Sequence, residues 1–192
     1  MHPRLLTLGL ACTLLLTATW AQAFDDQRQG FALGLGVGLG SARRTIDATA
    51  GGLSASLSND HGGFATALRL GGGLNDRWLL CYTSQVVFFS PDGSDVRFAQ
   101  GIGAISALYF LQPQAPSLFF EAGLGQGALV DVDRNESDTG IGLLLGLGYE
   151  VSRHWEFGMS FSYAKVGEDT VDGFDLDASI STVQVTVGWL GY

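Results

Sequence analysis

Along residues 31–40 every second position is large and apolar and every other one is tiny. Phe31, Leu33, Leu35, Val37 and Leu39 interleave with Ala32, Gly34, Gly36, Gly38 and Gly40. A period of two is the spacing of an extended strand and puts all the large side chains on one face. The other face, with nothing larger than alanine, cannot be a packed soluble core. The pattern returns at Ile141, Leu143, Leu145, Leu147, Tyr149 and Val151 against Gly140, Gly142, Leu144, Gly146, Gly148 and Glu150. It returns again at Trp155, Phe157, Met159, Phe161 and Tyr163 against Glu156, Gly158, Ser160, Ser162 and Ala164. In each case the large apolar set faces one way and the glycine or polar set the other.

A single strand of this kind also fits the inner face of a soluble sandwich, so the number of such segments decides. Eight are legible, near residues 30–41, 62–73, 77–89, 96–111, 118–131, 140–151, 155–166 and 179–191. Segments of about ten residues suit tilted strands that cross a bilayer. The expected fold is all-β, an eight-stranded antiparallel up-and-down transmembrane β-barrel. The links support it: Leu74-Asn75-Asp76, residues 112–117 and Ser152-Arg153-His154 are short, and 42–61, 90–95, 132–139 and 167–178 fall between them. Short periplasmic turns alternating with longer outer loops place both termini in the periplasm. The 90–95 link is an exception, being no longer than 112–117. Leu53, Ala55 and Leu57 alternate within 42–61 and leave room for the first hairpin to extend above the membrane.

The N-terminus reads as an export signal. His2 and Arg4 precede the apolar run LLTLGLACTLLL, and Ala21-Gln22-Ala23 offers a small-x-small cleavage site before Phe24. The expected division is a cleaved signal peptide, 1–23, and a barrel domain, 24–192. The formal charge of −9 for the chain becomes one unit more negative once Arg4 is removed, which makes nucleic acid a poor partner. Cys81 is the one cysteine left after cleavage, so no internal disulfide is available and a buried thiol is expected. Aromatic residues fall near the segment ends (Phe31, Trp78, Phe88, Phe119, Phe120, Tyr149, Trp155, Tyr163, Trp189, Tyr192), as interfacial girdles do.

Phase sorting sends Arg69, Glu121, Glu150, Glu156, Gln85 and Gln184 into the lumen. An eight-stranded barrel is narrow enough for side chains to fill, so these groups should meet one another or trapped water. Glu150 and Glu156 flank one tight turn and repel unless a cation lies between them. Arg69 is the expected cation, giving a lumen cluster of Arg69, Glu121, Glu150 and Glu156. Such a cluster serves either as a polar gate for ions or as a plug that satisfies buried charge, and the narrow bore favours the plug.

Other chemistry is thinly represented. His61 and His154 fall in an outer loop and a periplasmic turn, with no accompanying nucleophile pattern, so no catalytic set is expected. Asp131, Asp133 and Asp138 are the loop candidates for loose divalent-cation binding that could bridge to lipopolysaccharide. Glu136 stands where an EF-hand needs glycine, so a true EF-hand is rejected. Gly34-Leu-Gly36-Val-Gly38 continues a strand and does not form the strand-to-helix glycine turn of a dinucleotide site. No cofactor is expected.

The segments LGLGYEVSRHWEFGMSFSY (145–163), LFFEAGLGQG (118–127) and GGGLNDRWLLCYTSQ (71–85) together resemble the OmpA-type small outer-membrane β-barrel superfamily. The resemblance runs over nearly the whole mature chain and implies architecture and an outer-membrane location. The last strand, Val183 to Trp189 followed by Tyr192, is similar to the C-terminal aromatic signal read by the barrel-assembly machinery. Tyr192 departs from the usual phase unless Leu190-Gly191 bulges. The leading expectation is a monomer in contact with outer-membrane lipid and lipopolysaccharide, with a structural or surface-interaction role. A narrow channel is the alternative and a lipid-modifying envelope enzyme the third reading.

Overall fold

The computed structural model describes residues 28–50, 53–91, 96–134, 136–171 and 174–192. The proposed signal peptide, 1–23, lies outside these residues. Eight strands follow in chain order: β1 (Gln29–Ala50), β2 (Leu53–Asn75), β3 (Trp78–Phe89), β4 (Phe98–Phe110), β5 (Ser117–Asp131), β6 (Glu136–Ser152), β7 (Trp155–Val171) and β8 (Phe174–Gly191). Each pairs antiparallel with the next, and β1 pairs with β8 to close the ring. Within the ring, closure pairs each strand on both sides, which is the condition for crossing hydrocarbon.

The alternation in the sequence becomes an inside and an outside. Leu35, Val37, Leu39, Leu124, Ile141, Leu143, Leu145, Phe157, Met159, Val185 and Val187 all point outward and form the surface facing lipid. The inward phase carries small and polar residues together with an apolar layer that includes Leu79, Leu108, Phe110 and Phe119. Gly148 shows why glycine is used there, because a Cβ at this position would collide with the Phe119 ring. Two of the expected girdle aromatics, Phe119 and Tyr192, are inside the barrel instead. Tyr192 keeps the inward phase of Gln184, Thr186 and Leu190, so no bulge at Leu190-Gly191 turns it toward lipid. The outward aromatic of the last strand is Trp189, paired opposite Trp155.

The outer connections differ most from expectation. Residues 42–61 are not a loop: β1 and β2 stay paired up to Ala50↔Leu53. Likewise β7 and β8 continue to Val171↔Phe174, where a link of 167–178 was expected. By contrast, β2 and β3 begin pairing only at Phe64↔Phe88, and β6 and β7 only at Gly142↔Ala164. The four strands β7, β8, β1 and β2 therefore rise as one sheet beyond the rest of the ring, with β1 running roughly 30 Å past Ser41 at strand rise. The alternation of Leu53, Ala55 and Leu57 marks the β1–β2 part of this extension in the sequence.

Candidate functional site

The inward residues of β3 index the lumen from the tight-turn end to the hairpin end. Leu79 and Cys81 belong to an apolar layer, Thr83 to an ion cluster, Gln85 to an amide layer, and Val87 and Phe89 to an upper apolar region. Each step of two residues advances one layer, as the pleat requires.

Arg69 is the centre of the ion cluster. Its Nε and Nη2 donate to Glu121 Oε2 at 3.2 and 2.8 Å, and its Nη1 donates to Glu156 Oε1. The other oxygen of Glu121 accepts from the hydroxyls of Thr83 and Ser106, both at 2.8 Å. All five residues are buried. Two carboxylates around one guanidinium leave a formal excess of negative charge, which the two hydroxyl donors partly offset. Arg69 fits this place because its planar fork binds carboxylates along two directions at once.

Glu150 departs from the expected cluster. It lies opposite Glu156 across the tight turn, yet its cation is Arg28, which the sequence reading had not identified. Arg28 Nη2 donates to Glu150 Oε2, and Nη1 donates to the carbonyls of Asp76 and Gln112 at 3.0 and 2.6 Å. The Tyr192 hydroxyl donates to Glu150 Oε1. Arg28 and Glu150 are fully buried. The repulsion between the two glutamates is thus relieved by two separate cations rather than one shared between them. Arg28 shares the even-numbered inward phase of Ala32 and Gly34, and extending that phase backward past Gly30 was the available signal. Gly30, at φ 83°, interrupts the regular strand just there.

An aromatic column lies between the two guanidiniums. The Arg28 guanidinium lies 3.9 Å from the Phe110 ring centroid, Phe110 and Phe119 are 5.2 Å apart, and Arg69 lies 5.5 Å from Phe119. Leu79, Leu108 and Leu190 pack around these rings. Beyond Arg69, Ser160 donates to Gln85 at 2.6 Å. Next to this bond the Gln184 amide and Glu156 Oε2 are buried with no protein partner. Arg69, Gln85, Glu121, Ser160 and Thr186 also line a small cavity with room for on the order of one water molecule.

The other candidates do not come together. Asp131 caps its own turn by accepting from the amides of Asp133 and Arg134. Asp133 accepts from the Arg97 amide at 2.8 Å, a bond that, with the Arg97 guanidinium, holds its carboxyl below the usual carboxylate range. Asp138 pairs with Arg44 at 3.1 Å on β6, opposite Leu129. The expected eight-residue link is a tight hairpin with Asp131↔Glu136 as its last pair, which sends the three carboxylates to different partners. Among the described residues no group of three or more His, Cys, Asp or Glu is placed to hold a metal. His61 and His154 stand at opposite ends of the barrel, the former stacked on Phe89 and the latter with Nδ1 2.9 Å from the Leu190 carbonyl. Cys81 is a buried free thiol.

A closed ring of eight antiparallel strands with its apolar face outward narrows the comparison with known proteins to one architecture. The model of the outer membrane protein beta-barrel domain matches residues 8–189. The chain belongs to this family. As a family member it is a bacterial outer-membrane barrel. Among solved structures it is similar to the outer membrane protein OprG from Pseudomonas aeruginosa, at 12% identity and TM-score 0.52, covering 87% of this chain and 99% of that one. It is also similar to Ail, the attachment invasion locus protein of Yersinia pestis, at 16% identity and TM-score 0.49, covering 84% and 99%. A third similar structure is the outer membrane protease OmpT from Escherichia coli, at 8% identity and TM-score 0.39, covering 87% and 98%. These identities speak to fold alone. No curated protein sequence matches the chain.

Proposed function

We propose that this outer-membrane barrel has a structural or surface-interaction role in the envelope, with a lumen closed to ions and solutes. The carrying observation is the stack of two buried ion clusters with an aromatic and leucine layer between them. A permeating ion must displace Arg69 from both carboxylates, cross the layer around Phe110 and Phe119, and then displace Arg28 from Glu150. Each separation leaves an unpaired charge in a low-dielectric interior, at a cost of several kcal/mol. Both termini and the tight turns face the periplasm in this reading, and the raised sheet β7–β8–β1–β2 faces outward, since barrels of this type keep their short turns periplasmic. The outward apolar belt contacts outer-membrane lipid, with lipopolysaccharide around the hairpin end. The closed ring leaves no edge within the membrane that calls for a second copy, so the barrel is a monomer. The assembly machinery engages it through β8.

The test is purified barrel in planar bilayers. No single-channel events above the bare-bilayer background are expected across ±100 mV. Reproducible unitary conductance would overturn the closed-lumen reading in favour of the narrow channel.

A further inference from the structure

Beyond the ring the raised sheet keeps two unlike faces. Residues that continue the inward phase of Ala42 and Ala65 are apolar: Ile46 lies opposite Leu57 on β2 and Ala178 on β8, and Ala48 lies opposite Ala55. At the base of this face Ala178 packs onto the cluster of Leu129, Val166 and Ile180, beside an open cup lined in part by His61, Phe89 and Phe98. Leu57 is nonetheless 63% exposed. The matching outer positions are polar, with Asp47 opposite Ser56 and Asp177, and Thr45 opposite Ser58 and Ser179. An apolar face left open behind a polar one is a surface suited to being covered by a partner. The sheet also has an open side. Pairing of β2 with β3 begins at Phe64↔Phe88, and none of the described residues pairs with residues 53–63 on that side. Every second residue there turns its N–H and C=O away from β1, where another chain can pair with them.

We propose that β2 receives an extended, cationic segment of a partner protein as an added strand, with apolar side chains at alternate positions against Leu57 and Ala55 and basic ones on the outer face. Three observations select this occupant. The free edge offers a row of main-chain hydrogen bonds, which an extended backbone returns in series and a lipid chain cannot. The two faces of β2 demand a period of two in the incoming strand, because alternate side chains of an added strand point to opposite faces. Charge sets the sign. Asp47 and Asp177 are direct cross-strand neighbours, neither has an ion-pair partner among the described residues, and adjacent like charges repel until a cation comes between them. Asp47 stands two strand spacings, about 10 Å, from the added strand, within reach of a lysine or arginine passing over the short side chain of Ser56. The inference deepens the surface-interaction reading and rests on it, since the raised sheet must stand outside the membrane for a partner to reach β2.

The experiment is calorimetric titration of the full barrel in zwitterionic lipid nanodiscs with a capped octapeptide of alternating lysine and valine, with empty nanodiscs subtracted and folding verified by heat-modifiable gel migration. The peptide should saturate one site per barrel with Kd of roughly 10–100 μM, the range open to a short segment that must be ordered on binding. Its fully N-methylated form, which keeps the charges and loses the donors, should bind at least about tenfold more weakly, as should the peptide with glutamate in place of lysine. Leu57→Ser should weaken the parent peptide about tenfold, the size of a lost leucine contact. Asp47→Asn should weaken it about threefold and serves if Leu57→Ser fails to fold. The proposal is overturned by binding that never exceeds empty nanodiscs, by equal affinity for the parent and N-methylated peptides, or by equal affinity in wild type and Leu57→Ser. Conductance by the same preparation in planar bilayers, alongside saturable binding, would overturn the closed lumen alone, and absence of both would overturn the added strand alone.

Discussion

From Thr83 to Gln85 the inward face of β3 looks onto ion pairs and amides, and from Val87 to Phe89 it looks onto methyl groups and rings. The same ring of eight strands is filled in one half by paired charge and lined in the other by aromatic surface around a hollow. The charged half has little freedom. Arg69 and Arg28 are each held by several hydrogen bonds in fixed directions, and removing any partner leaves a buried charge exposed to its full desolvation cost. The aromatic half keeps open space between Phe89, Phe98 and Leu129 on one hand and Arg44, Asn59 and His61 on the other, and Gln100 there already bonds to the strands. The lower lumen is therefore the element whose failure breaks the barrel, and the upper lumen keeps an open cup lined in part by His61, Phe89 and Phe98.

The largest effect should follow from Arg69→Met. It strands Glu121 and Glu156 in the bore, and urea unfolding in lipid vesicles should register a loss of about 3–5 kcal/mol. A loss under about 1 kcal/mol would mean that the cluster does not hold the lower lumen. Arg28→Met should cost somewhat less, about 2–3 kcal/mol, because the Tyr192 hydroxyl still donates to Glu150. Glu150 and Glu156 are cross-strand partners, so the double variant leaves two neighbouring carboxylates without a cation and should cost at least about 0.5 kcal/mol more than the sum of the single losses. Strict additivity would show that the two glutamates do not interact.

Glycine substitutions sharpen the same contrast. Gly148→Ala drives a Cβ into the Phe119 ring of the filled half, with an expected cost of about 1–3 kcal/mol from overpacking. Gly62→Ala, on the raised part of β2 with no atom within 4 Å of the new Cβ, should change stability by less than about 0.5 kcal/mol in the same assay.

What the sequence could disclose follows this division. Where one face meets lipid and the other a narrow lumen, the contrast between faces is large. Arg69, Glu121 and Glu156 could then be assigned inward by parity alone, from Leu68, Phe120 and Phe157 on the outward phase. Parity does not identify partners, however. Glu150 lies in the lumen with Arg28 and not Arg69 as its cation, and Arg28 precedes the first alternating run, where Gly30 interrupts the regular strand. Above the ring the contrast weakens. Thr45, Asp47 and Thr49 against Arg44, Ile46 and Ala48 give no apolar face by themselves, while Leu53, Ala55 and Leu57 alternate and left room for the hairpin extension that the continuous pairing of β1 and β2 shows. Tyr192 failed for a third reason: its phase was legible, and the expectation of an outward C-terminal aromatic prompted a bulge that the chain does not form. The cup was not legible at all, since His61, Phe89 and Phe98 come from three strands with no sequence signal linking them.

The smallest expected effect lies on the raised sheet and tests whether its charges behave unlike those of the lumen. Arg43 Nε and Nη2 donate to Asp60 at 2.6 and 2.7 Å, and chiefly through this hydrogen bonding the Asp60 carboxyl is held below its ordinary value. A carboxyl whose folded-state value is depressed contributes stability that is complete above its unfolded pKa of about 3.9 and is lost as pH falls through the lower folded value. Between pH 7 and pH 5 nothing should change; below about pH 4 the pairing of residues 54–60 with β1 should loosen. An NMR titration of the Asp60 carboxyl should therefore give a lower midpoint in wild type than in Arg43→Gln, and equal midpoints would show that the pair does not form in solution. Both partners are exposed, so added salt should shrink the difference, because screening acts within about 10 Å at 0.1 M. The penalty of Arg69→Met should not respond to salt, since solvent ions do not reach a cluster sealed between Phe119 and the amide layer. If both responses followed ionic strength alike, the lower lumen would be open to water and the contrast between the two halves would fail.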